Sequence, residues 1–170
     1  MAVIASIPII AADGVLTITD GGVLTYAVAY DHGDLKIGGL NVTQKEVTDF
    51  FSRGTYFGSR DTKAKPIPFS FTAHLIGILG ETGAPTIMDV VLRKKDWAAA
   101  VSTLPAGHGD TFHHALTWSI ERTNLGATND DAVALKYCEI NVDLQDGEQG
   151  ATITINGVAK PYSTDYITLT

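Results

Sequence analysis

Gln44–Pro66 reads QKEVTDFFSRGTYFGSRDTKAKP, and it lies between two stretches of strand-like alternation. Five of the chain's twelve basic residues fall here (Lys45, Arg53, Arg60, Lys63 and Lys65) against three acids (Glu46, Asp49 and Asp61). The segment is therefore locally +2, while the whole chain is −7 and the remainder −9. It also carries Phe50, Phe51, Tyr56 and Phe57, and it is longer than a compact domain spends on joining two strands. Loops of that kind serve binding or assembly. The pattern predicts an arm reaching a more acidic surface on an identical neighbour. The plainer reading is a long hairpin folded back on its own sheet.

Working outward, 170 residues at 45% hydrophobic content suffice for one domain with a proper core. Seventeen glycines, six prolines and many Thr, Val and Ile favour strands and tight turns over helix bundles. The acidic balance speaks against a surface that wraps nucleic acid, which needs concentrated Lys and Arg. Cys138 is the single cysteine, which excludes an internal disulfide or a cysteine zinc cluster and fits a reducing cytoplasm. Residues 1–12 are apolar, but no basic residue precedes Lys36 and Pro8 interrupts the run, so they read as an N-terminal arm that orders on assembly and not as a targeting signal. No stretch approaches the roughly 20 apolar residues that span a bilayer.

Upstream of the arm, Val15–Thr19 and Val23–Tyr30 flank Asp20-Gly21-Gly22 and predict a hairpin whose glycines supply positive φ. Asp31–Asp34 then turns into a strand over 35–42. Downstream, Ile67–Leu75 alternates with Ile67, Phe69, Phe71, Ala73 and Leu75 on one face, and Pro66 and Pro68 suit the start of a strand or an edge. A helix is predicted over 86–95, with Ile87, Val90, Val91 and Lys94 at helical spacing and Arg93, Lys94 and Lys95 in a last turn that suits the dipole, and an extension through 96–101 is compatible with the pattern. Strands follow over 112–121 and 133–144. In the second, Cys138, Ile140, Val142 and Leu144 form the core face, and Tyr137, Glu139, Asn141 and Asp143 an acidic opposite face. After a polar turn over 124–131 and another around Asp146-Gly147 and Gly150 come a strand over 151–155, an Asn156-Gly157 turn and a short strand within 162–170. The sum is a mainly β, single-domain sandwich with one flanking helix.

That order of elements resembles the tail tube (major tail) proteins of long-tailed bacteriophages. The residues carrying the resemblance are Asp13–Gly21 (DGVLTITDG), Gly33-Asp34-Leu35, Arg53-Gly54 with Arg60, Pro68-Phe69-Ser70-Phe71, and Val142–Glu148 (VDLQDGE) with Ala151–Ile155 (ATITI). The resemblance implies a barrel-like β-sandwich related to the tube subunits of contractile injection machines. Six copies would form a ring and rings would stack into a hollow tube, with residues 44–66 as the inter-ring arm. It further implies a virion component assembled in the host cytoplasm, without cofactor or enzymatic activity. Its partners would be other copies of itself, a tape-measure protein, and tail-tip and terminator proteins, with DNA passing through the lumen unbound. Independently, closing a ring edge to edge removes exposed strand edges. Glu139 and Asp143, if they face the lumen, would repel phosphate.

Chemistry centres only on His108–His114 (HGDTFHH). His108, Asp110 and His113 could ligate a metal, but His113 and His114 are adjacent on a strand and point to opposite faces, and His114 among Phe112, Leu116 and Trp118 reads as a core histidine. No G-x-S-x-G elbow, P-loop or G-x-G-x-x-G occurs. The competing readings are a monomeric carbohydrate-binding sandwich using the aromatic arm, and a metal enzyme at His108, Asp110 and His113.

Overall fold

In the computed structural model, residues 14–30, 34–40, 44–75, 77–120, 131–145 and 152–170 are described. The elements run β1 (Gly14–Thr19), β2 (Thr25–Val28), β3 (Lys36–Ile37), β4 (Lys45–Ser52), β5 (Thr55–Ala64), β6 (Ile67–His74), α1 (Ile87–Leu92), a 3₁₀ turn (Lys95–Ala99), β7 (His114–Ile120), β8 (Asp131–Gln145), β9 (Thr152–Ala159) and β10 (Ile167–Leu169). The N-terminal arm and the turns expected at 31–33, 124–130 and 146–150 lie outside the described residues.

Among the described residues all pairings are antiparallel, in the order β2-β1-β7-β8-β9-β6-β3 with β10 also alongside β8, while β4 and β5 pair only with each other. The fifteen-residue β8 serves two layers. Its first part pairs with β7 and β10, and from Cys138 onward it pairs with β9. Between Leu116↔Leu135 and His114↔Cys138 the register slips by one residue, and Tyr137 there has φ 56°. This bulge bends the strand from one layer into the other, as sandwich corners require. On the opposite side the layers meet at one bridge, Tyr30↔Ala73, with the His74 amide donating to Ala29 O at 2.9 Å. The sheet thus curls into a sandwich without becoming a closed barrel.

Alternation fills the space between the layers. Leu16, Ile18, Leu116 and Leu135 from one side and Ile67, Phe69, Phe71, Ile153 and Ile155 from the other form one buried cluster. Each such side chain stabilises the fold by about 1.5–3 kcal/mol relative to exposure. The face predicted for β6 is the buried one, save that Leu75 beyond its end is only half-buried.

The helix is shorter than its periodicity suggested. A capping box starts it: Thr86 Oγ1 accepts from the Asp89 amide at 3.4 Å, and the Asp89 carboxylate accepts from the Thr86 amide at 2.9 Å. Gly80 also donates to Asp89, at 2.6 Å. Burial pushes the Asp89 carboxyl up, but these hydrogen bonds outweigh it and hold the group below its usual range. At Arg93 the backbone turns left-handed, φ 54°, so Arg93, Lys94 and Lys95 make no last helical turn. The following 3₁₀ turn instead drives Trp97 into the core, where it is 1% exposed.

Three further expectations change. The β1–β2 turn does not use positive φ at Gly21 or Gly22: the Asp20 carboxylate accepts from the Gly22, Leu24 and Val101 amides, each at 2.9 Å. Gly21 is needed for close approach, since a Cβ there would lie 2.4 Å from Ser102 O. Asn156-Gly157 is not a turn but lies inside β9, where Gly157 faces Phe69 and a Cβ would meet its ring at 2.2 Å. In β8, the bulge buries Tyr137 along with Cys138, and Leu144 is exposed past the end of the core.

Candidate functional site

The arm is a hairpin anchored at its root. Tyr166, buried at the end of the body, brings its hydroxyl to Lys65 O at 2.7 Å and Gln44 O at 3.4 Å, and the Lys65 amide donates to Gln44 O at 2.9 Å. From there β4 and β5 run out to a two-residue loop at Arg53 (φ 50°) and Gly54 (φ 82°), a pairing of left-handed residues whose twist suits a hairpin. Every residue of both strands is exposed except half-buried Gly58. The hairpin is therefore not folded back on its own sheet.

Its aromatics group toward the tip. Phe51 and Tyr56 sit opposite each other, ring edge to face at 5.9 Å, and Phe50 lies beside Gly58. Between these two pairs β5 holds one extra residue, Phe57, which is left without a cross-strand partner and is 83% exposed. A bulge re-aims a side chain. Toward the root, Lys63 pairs with Glu46 at 3.4 Å. Arg53, Arg60 and Lys45 are exposed, and Lys65 is half-buried beside the anchor. The sequence-predicted arm residues thus share one projecting element.

Glu139 and Asp143 do share a face of β8, but their surroundings differ. Asp143 is exposed and accepts from Asn156 Nδ2 at 3.2 Å. Glu139 stands 3.0 Å from Lys160 Nζ and 3.3 Å from His113 Nε2. Sequence reading missed Lys160; its place just past β9, whose last residue Ala159 pairs with Cys138, was the available signal. Across the layer the same face continues in register as Asn141, Asn156, Ser70 and Lys36, a row of hydrogen-bonding side chains.

The histidines divide as adjacent strand residues should. His114 is buried between Phe112 and Trp97, and burial pushes its pKa down to about 4. His113, fully buried on the other face, packs edge-on to Tyr162 at 5.4 Å, and His108 meets the same ring at 5.4 Å. Asp110 does not join them. Among the described residues no group of three or more His, Cys, Asp or Glu is placed to hold a metal.

The architecture is thus a two-layer antiparallel sandwich with a short helix and one free-standing hairpin. No family model matches the sequence, and no curated protein matches it. Solved structures do share the fold. A chain in the PVC extracellular contractile injection system sheath/tube terminator, extended state, aligns with TM-score 0.56 and 10% identity over 98% of this chain and 99% of that one. One in the extended PVC sheath-tube complex gives 0.54 and 10% over 98% and 93%, and one in the anti-feeding prophage tube-terminating cap gives 0.54 and 12% over 100% and 99%. At such identities the shared property is the fold, found end to end in components of phage-tail-like injection machines.

Proposed function

We propose that this chain is a non-enzymatic structural subunit of a phage-tail-like particle, forming rings of six copies that stack into a hollow tube or its terminating layer. The observation that carries the reading is the end-to-end likeness to chains of contractile injection systems. The free hairpin supports it, because a long, exposed, aromatic and basic arm on an otherwise acidic body suits contact between like subunits.

In this reading the layer formed by β3, β6, β9 and the second half of β8 faces the lumen. β3 is the last strand on one side, and beyond Cys138 β8 has a described partner only in β9. Two open edges in one layer suit closure into a continuous ring of strands. The polar row of Lys36, Ser70, Asn156 and Asn141 would then line the bore. Asp143 would contribute negative charge there, while that of Glu139 is matched by Lys160. The arm would bridge successive rings, and tape-measure, sheath and terminator proteins would be the further partners of a particle whose subunits assemble in the host cytoplasm. The long-tailed phage tube is one member of this class, with DNA as its cargo.

Negative-stain electron microscopy of the purified protein over a concentration series tests the proposal. Rings or tubes with a central hole are the expected result. Monomers at every concentration, even with tail-tip and terminator proteins supplied, would overturn it.

A further inference from the structure

At the end of the first layer, where β1 and β8 begin and β7 and β10 finish, inward-facing side chains run past the core, from buried Ile120 through half-buried Trp118 and Val133 to exposed Leu169. Trp118, Ile120, Val133 and Leu169 line an apolar hollow of about 220 Å³, with Asp131 at its rim. Leu169 is 69% exposed and Trp118 only half-buried, its indole N–H donating to the Tyr30 hydroxyl at 3.1 Å. Large apolar groups left together in the open mark contact sites.

The same chain carries a projection whose root lies further along β8. Pairing of Ile167 with Leu135, and the Lys136 amide donating to Tyr166 O at 2.8 Å, place Tyr166 at the far end of β10 from Leu169. Tyr166 anchors the arm root. Root and hollow thus lie at different places on the chain, separated along the three-residue β8–β10 ladder. A projection and a recess on different surfaces of one chain make a head-to-tail contact that repeats without closing.

We infer that Phe57 of one copy seats in the hollow formed by Trp118, Ile120, Val133 and Leu169 of the copy in the adjoining ring. Phe57 is the most exposed of the arm's aromatics and the one the bulge turns out of the ladder. Charge agrees in sign, since the arm is +2 and the rest of the chain −9. The inference rests on the stacked-ring reading and names the receptor of its arm.

The test uses full-length protein with Phe57→Ala, Val133→Lys and the pair Phe57→Cys/Leu169→Cys, each confirmed folded by circular dichroism. Trp118 supplies an independent readout, because Trp97 is already buried. Wild-type stacking should shift tryptophan emission to shorter wavelength. Phe57→Ala and Val133→Lys should each raise the concentration needed for stacking about tenfold or more, as loss of a central aromatic anchor does, and leave single rings intact. The cysteine pair should crosslink between copies under oxidation, Cys138 being buried. Stacking at wild-type concentration by both single variants, with no crosslink, would overturn the seating while leaving the tube proposal standing. Absence of rings from the wild-type protein under every condition would remove both.

Discussion

Two antiparallel ladders in this molecule, β4–β5 and β8–β9, use the same backbone hydrogen bonding and end up with opposite surroundings. In β9 alternate residues, Ile153, Ile155, Gly157 and Ala159, are buried against β6 and β8. In β4 and β5 none is buried. An isolated two-stranded hairpin is marginal in water, so backbone pairing alone does not account for keeping a ten-residue strand such as β5 in place. The body's side chains gain their stabilising contacts within the chain, whereas in the proposed assembly the arm's would gain theirs from a neighbouring copy. Substitutions should separate the two regions accordingly.

The largest effect belongs to the core. Trp97→Ala removes a side chain that is 1% exposed and packs against His114, and should cost about 3–5 kcal/mol in urea unfolding of the unassembled subunit. Phe51→Ala on the arm, despite deleting a similar amount of aromatic surface, should stay within about 0.5 kcal/mol. Equal losses would mean that the arm packs on its own body and would erase the distinction.

Acid should act on the body next. Burial lowers the His114 pKa to about 4, with Asp20 opposing and Arg93 and His113 assisting, against 6.5 when unfolded. The unfolded chain therefore binds the proton more readily. Stability is present above pH 6.5 and is lost as pH falls toward 4, by roughly 3 kcal/mol for a shift of this size. Unfolding curves at several pH values should show the loss, and His114→Phe should flatten that part of the profile. A variant with an unchanged slope would place the titrating group elsewhere.

Gly157 combines a prediction with a lesson about legibility. Gly157→Ala should destabilise by about 1–3 kcal/mol, because its Cβ would press on the Phe69 ring and on Glu139 O at 2.7 Å. Thermal melts compared with Thr154→Ala on the outer face would check it. In sequence, Asn-Gly reads as a hairpin turn, since local chemistry permits one. The deciding fact is that Phe69, 88 positions earlier, needs the space, and no local pattern contains it. The same holds for the helix: periodicity favours continuation past Leu92, but burial of Trp97 requires the chain to turn. What was legible were the elements whose signal is their own alternation, such as β1, β6 and β7, and the arm, whose composition differs from everything around it. The pairing of Glu139 with Lys160 and the hollow at Trp118 depend on how paired strands are registered, so only that register reveals them.

The smallest effect on folding, and the one that most sharpens the comparison, should come from reversing charge at Arg53, Arg60, Lys63 and Lys65 together. Within the arm Lys63 pairs with Glu46 at 3.4 Å, and exposed pairs contribute about 0–1 kcal/mol. Subunit unfolding should therefore hardly change. Stacking should respond differently, because the same four charges recur at every interface and each reversal replaces attraction to an acidic body with repulsion. The variant should form rings but few tubes at low salt, and added salt should narrow its gap from wild type by screening. Long tubes from the reversed protein at low salt would show that the arm's aromatics hold the rings together without help from its charge.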